Sequence, residues 1–233
     1  HGKFRRQRQM CIRDRLIGMA ASAQQMGFNY IEITAEENSE KRIGEMFDNY
    51  MDGKEMKSGG VFLERLRHGT TSGRTHRVIW LWELDNGGFV EDADENERKA
   101  FWRGLSNMVE EWGDAKSGRI LNAQFGDDKE NSWAHVWDIK AEDEEAFIAA
   151  QNKLIKKTNG TFDNRLVGFG TYDINRPNGA THWIVVSGKD INDHLSLVNK
   201  LEKEFGKAFD EYFASRGQVE YIQDFMVERL KTY

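Results

Sequence analysis

Hydrophobic and polar side chains alternate from Phe28 to Thr34, a run rich in β-branched and aromatic residues that predicts a strand. Apolar positions then shift to helical spacing at Ile43, Met46, Phe47 and Tyr50, with Gly53 as a stop. Thr34-Ala35-Glu36-Glu37 ahead of them has the form of a capping box. Gly60 to His68 and Thr75 to Leu84 read as two strands joined by the short loop Gly69-Thr70-Thr71-Ser72-Gly73. Asp92 to Glu95 offers a cap for a second helix with the stripe Phe101, Leu105, Met108, Val109 and Trp112, and Gly118 to Phe125 reads as a closing strand. The order is β-α-β-β-α-β. It returns as strands near 133–140, 165–174, 181–189 and 218–228, with helices near 142–157 and 191–215. Leu195, Val198, Leu201, Phe205, Phe209 and Tyr212 are expected to form the buried stripe of the last helix.

The chain also repeats in its letters. Ser72-Gly73-Arg74-Thr75-His76-Arg77-Val78 recurs as Asn178-Gly179-Ala180-Thr181-His182-Trp183-Ile184, and Ile33-Thr34-Ala35-Glu36 as Ile139-Lys140-Ala141-Glu142, both displaced by 106 residues. A shared offset at two separated places implies a duplicated unit, here 24–128 and 129–233. Each unit is the split βαβ, ferredoxin-like arrangement, whose sheet carries helices on one face and needs cover on the other. The expected fold is α+β: two tandem ferredoxin-like repeats with sheets packed face to face as a pseudo-dimeric α+β barrel. This element order and duplication resemble the dimeric α+β barrel superfamily over about residues 27–230, with both halves in one chain. No catalytic motif supports the resemblance, so it assigns no residue roles. What it implies in activity is a cofactor-free monooxygenase or a haem-handling protein.

Candidate chemistry follows from which face each strand residue takes. With Ile31, Ile33, Trp137 and Ile139 toward the helices, Glu32 and Asp138 fall at equivalent inner positions, where a barrel holds a cavity and a plain sheet holds solvated charge. His76 and His182 each follow a Thr at a hairpin exit, as metal ligand, haem ligand, general base or simple turn support. Gln124 and Gln223 recur on the closing strands, pointing inward or tying backbone. Arg65 and Arg67 suggest a carboxylate site, but the second unit does not repeat them. Trp80, Trp82, Trp133, Trp137 and Trp183 fall on strands as core or as the wall of a ligand cavity. Metal-site spacings, phosphate loops, nucleophile elbows and dinucleotide fingerprints are absent, so no metal and no cofactor is expected, haem remaining the cofactor that the resemblance allows.

Composition narrows the partners. Residues 5–15 resemble a translated sequencing adaptor, and 16–23 resemble the end of a signal peptide, with an apolar run and then Ala21-Ser22-Ala23. The expectation is an exported protein, secreted or periplasmic, whose mature chain starts near Gln24. The sequence has 33 Lys and Arg against 39 Asp and Glu; six and one of these lie in 1–23, so the rest carries a formal charge of −11. Without a basic stripe it does not suit nucleic acid or an anionic membrane. The one cysteine, Cys11, falls in the same leading stretch, which removes thiol chemistry from the remainder. The expected function is a non-catalytic module that binds a small ligand or protein partner through the inter-sheet face, with the monooxygenase or haem-handling enzyme as the alternative.

Overall fold

The structure is a computed structural model that describes residues 26–69 and 73–233, so the adaptor-like and leader-like segments and Ser72 lie outside the described residues. Eight strands alternate with helices: β1 (Met26–Ala35), α1 (Glu40–Met51), β2 (Gly60–His68), β3 (His76–Glu83), α2 (Glu95–Ser106), β4 (Val109–Gln124), β5 (Trp133–Ala141), α3 (Glu144–Lys157), β6 (Val167–Thr171), β7 (His182–Gly188), α4 (Ile191–Glu204), α5 (Gly206–Ser215) and β8 (Val219–Thr232). All strand pairs are antiparallel, and the sheet closes in the order β1-β3-β2-β8-β5-β7-β6-β4. The expected α+β barrel is present, with its two sheets joined edge to edge into one closed sheet. β2 bonds to β8 and β4 to β6, so the exposed edges of each half satisfy one another.

Helices coat the outside of the barrel. Ile33, Leu63 and Val78 point outward under α1 and α2, where Phe47, Phe101 and Leu105 fill the space between the layers. Inward-facing Phe28, Tyr30, Ile120, Tyr172, Val136, Val185 and Phe225 pack the lumen, with Trp183 among them. Gly168 and Gly170 on β6 make room for that indole; a Cβ at Gly170 would stand 2.3 Å from Trp183 Cζ2. The lumen also buries an ion triad. Glu64 accepts from Arg77 Nε at 2.7 Å and from Arg229 at 3.1 Å. Burial works to raise the Glu64 carboxyl, and the two guanidiniums outweigh it and hold the group below its ordinary range.

Local departures from the expected elements have physical causes. The Thr34–Glu37 capping box does not form, because β1 runs on to Ala35, whose N–H bonds Thr75 Oγ1 at 2.9 Å; α1 starts later, after Ser39. α2 ends at Ser106, and Val109 and Trp112 belong to the sixteen-residue β4, which extends well ahead of Gly118. The predicted helix 191–215 breaks at Phe205–Gly206 into α4 and α5. Its buried face in α4 is His194, Leu197 and Leu201, while Leu195 is 59% exposed.

Candidate functional site

The two halves differ in how the helices meet the sheet. In the first half Phe47, Phe101 and Leu105 fill the space between helices and sheet. In the second, α5 packs chiefly on α3 and also on α4, and a cavity of about 680 Å³ lies between the three helices and the outer face of β5–β8. Its walls are mainly apolar, including Leu154, Val186, Leu197, Phe209 and Tyr212. That volume falls within the range of small-molecule pockets.

Polar groups converge at one side of it. His135 lies on β5, on the outward face with Trp137, and its ring stacks on that indole at 3.7 Å. His135 Nε2 lies 2.9 Å from Asp224 Oδ2 on the neighbouring β8, and His135 Nδ1 lies 2.7 Å from His194 Nε2. His194 stands in the first turn of α4, and that turn is fixed. Asp190 caps it by accepting from the Asp193 N–H at 2.8 Å, and Asp193 grips Arg165 through two bonds of 2.7 and 2.8 Å.

The bonding order assigns the tautomers. The Asp224 carboxylate accepts, so His135 carries its proton on Nε2 and presents a lone pair at Nδ1. His194 must then donate Nε2–H, which leaves His194 Nδ1 unprotonated. Burial lowers the pKa of both rings, against the pull of Asp224 for His135; for His194, burial and then the proximity of His135 bring the value down to about 4. A neutral imidazole with an unprotonated nitrogen, oriented by a second imidazole and a carboxylate, is the arrangement of a general base. Partial burial, and then the nearby Asp224 carboxylate, push the Tyr221 hydroxyl up to about 12.

The residues singled out in the sequence sit elsewhere. His76 and His182 are buried on the helix side of the barrel, each tied at Nδ1 to the preceding threonine, at 2.8 and 2.7 Å. Their Nε2 atoms meet the first residue of a helix, Glu40 of α1 at 2.9 Å and Glu144 of α3 at 3.1 Å. Each therefore joins a strand to a helix start. His182 also stacks on Phe169. Glu40 is further held by Arg65, whose hydrogen bonds bring its pKa down to about 2. Arg65 and Arg67 both engage Glu228, so these guanidiniums are occupied within the protein.

Glu32, Asp138 and Gln223 do come together, at one end of the lumen, around a polar cavity of about 240 Å³. Asp138 is fully buried and accepts from Tyr172 and Gln223, both at 2.7 Å. Burial raises its pKa, opposed by those two donors. Gln124 is not part of this group; its amide donates to the Phe162 carbonyl at 2.7 Å and ties backbone. Among the described residues no group of three His, Cys, Asp or Glu is arranged to hold a metal ion, and no helix is long and apolar enough to cross a membrane.

The fold of the closed α+β barrel is shared with solved structures of low sequence identity. A monooxygenase-like protein of Fusobacterium nucleatum superposes with a TM-score of 0.58 at 16% identity, over 89% of this chain and 93% of that one. A second, from Lactobacillus acidophilus, gives 0.56 at 11% identity over 89% and 95%. A chlorite dismutase variant of Candidatus Nitrospira defluvii in complex with cyanide gives 0.53 at 11% identity over 94% and 95%. No protein-family model matches the chain, and no curated protein matches it in sequence. These likenesses correct the expectation of a non-catalytic module, since the proteins that share the fold along nearly the whole chain bear the names of enzymes. Within the lumen the aromatic side chains and the ion triad leave cavities of about 240 and about 110 Å³, and the 680 Å³ cavity lies outside the sheet.

Proposed function

We propose that the protein is an oxygenase of the cofactor-free type, acting on an apolar carbon acid bound between α3, α4, α5 and the sheet. The observation that carries this reading is the Asp224–His135–His194 chain, whose last ring belongs to the lining of a large apolar cavity and whose bonding order leaves its Nδ1 as the free acceptor. His194 Nδ1 takes a proton from a CH₂ activated by a neighbouring carbonyl or aromatic ring. The resulting carbanion passes its electron pair to dioxygen in two one-electron steps, forming the C–O bond. Protonation gives a hydroperoxide, and loss of water leaves a ketone. One O₂ is consumed per CH₂ oxidised, with one atom in the product and one in water, so the substrate itself supplies the electrons.

Against haem, the other chemistry implied by the resemblance, stand the occupied histidine donors of this pocket. The Nε2 atoms of His135 and His194, the ring nitrogens farthest from the backbone, are both bonded within the protein. His68 is exposed at the rim.

Anthrone is a suitable probe, being flat and apolar with a CH₂ whose anion is aromatic. The purified protein should raise oxygen uptake with anthrone above the buffer rate and yield anthraquinone without added metal or flavin. His194→Ala should remove about 10²-fold or more of that acceleration, the share of a positioned base. Equal rates for wild type and His194→Ala would refute the assignment.

The same reading extends to origin and location. The halves 24–128 and 129–233 are copies of one ferredoxin-like unit, supported by the paired His76–Glu40 and His182–Glu144 joints. Export rests on the leader-like residues 16–23; recovery of a chain beginning near Gln24 from the periplasm of an expressing bacterium is its test.

A further inference from the structure

Arg216, just beyond α5, lines the same cavity and is its single Lys or Arg among the described residues. Its guanidinium lies 4.5 Å from the Phe213 ring and 5.2 Å from that of Tyr212. No carboxylate stands within ion-pair distance of it among the described residues; Arg42, Arg98, Arg103 and Arg176 share this but lie outside the cavity lining, whereas Arg65, Arg67, Arg74, Arg77, Arg119, Arg165 and Arg229 all have one. A guanidinium stacked on aromatic faces directs its in-plane N–H donors sideways, where Arg216 meets the Tyr212 hydroxyl and keeps further donors for an anion. The cavity edge is open to solvent, with Leu195 59%, Phe213 47% and Tyr221 55% exposed, and the lining also carries the carboxylates of Glu202 and Asp224.

We infer that Arg216 selects the charge of the ligand: the cavity takes a planar aromatic molecule bearing an anionic group, its ring against the apolar walls and its anion on the guanidinium. The inference deepens the oxygenase reading by naming a substrate class, and rests on it only in calling that ligand a substrate. Arg216 is a specificity residue and takes no part in the proton transfer.

Two fluorescent probes of nearly the same shape separate charge from shape: 8-anilinonaphthalene-1-sulfonate, an anion, and N-phenyl-1-naphthylamine, its neutral counterpart. Titrated into the full chain, the anion should bind more tightly than the neutral probe. Arg216→Gln should weaken the anion about tenfold or more, as for loss of a charged hydrogen bond, and leave the neutral probe unchanged. Arg216→Lys, which keeps the charge and gives up the planar fork, should fall between them, with circular dichroism verifying the fold of each variant. The inference is overturned if wild type fails to prefer the anion, if Arg216→Gln leaves the anion unaffected, or if both probes weaken together. Because binding is read without turnover, the two claims fail separately. Anion selection by Arg216 without any oxygen uptake sinks the oxygenase reading alone; uptake that needs His194 without anion selection sinks this inference alone.

Discussion

His194 owes its proposed role to what surrounds one imidazole. Burial disfavours its cation, and the donor-acceptor order set by Asp224 through His135 places its proton on Nε2. Asp224→Asn would remove the acceptor that fixes this order and should lower turnover while leaving the neutral probe bound. The same burial has a consequence for folding. Both rings have folded-state values below the ordinary one near 6.5, so in the acid range the unfolded chain holds more protons than the folded one. Their contribution is therefore complete above about pH 6.5 and is lost as pH falls toward about 4. Urea denaturation across that interval should give stability declining with acid, and a smaller decline in His194→Ala. An equal slope in the two proteins would contradict the assignment. Part of this site was legible in the sequence. With Trp137 and Ile139 assigned to the helix side, alternation places His135 beside them; the pairing with His194 and Asp224 depends on contacts 59 and 89 residues away, which no local pattern encodes.

Among the elements, strands were read well because their alternation survives in the structure, from Gly60–His68 to Trp133–Ala141. The last helices were read less well. An apolar stripe through Phe205, Phe209 and Tyr212 looks continuous, yet the chain turns at Phe205–Gly206, and α5 packs chiefly on α3 and also on α4. The cavity lies between these three helices and the sheet, so its existence was not written in the period of either helix. The repeated histidines, by contrast, were conspicuous in sequence and belong to joints between elements. His76→Ala and His182→Ala should each cost about 1–3 kcal/mol of stability, as loss of a buried hydrogen-bonding partner does, with anionic probe affinity unchanged. Chemical denaturation alongside probe titration checks this; weakened binding at full stability would instead place these residues in the site.

For the molecule as a whole, closing the barrel solves two problems together. It removes free sheet edges and shields a lumen packed with aromatic rings and the Glu64–Arg77–Arg229 triad. Fold class was readable from element order and the 106-residue offset, but hydrogen-bonded closure through β2–β8 and β4–β6 was not, since it joins residues from opposite halves. The offset also conceals the decisive asymmetry. The position matching His135 is Asn29, which accepts a hydrogen bond from Ser117, and the outer layer above it is filled by Phe47, Phe101 and Trp102. The second half combines a base with space for a ligand.

The most direct test of this account is ¹⁵N NMR of the histidine side chains in the full protein, titrated from neutral pH downward. The account predicts that His194 is neutral at pH 7, protonated on Nε2 and bare at Nδ1, and gains its second proton near pH 4. A His194 that is already a cation at pH 7, or one that carries its proton on Nδ1, would contradict it.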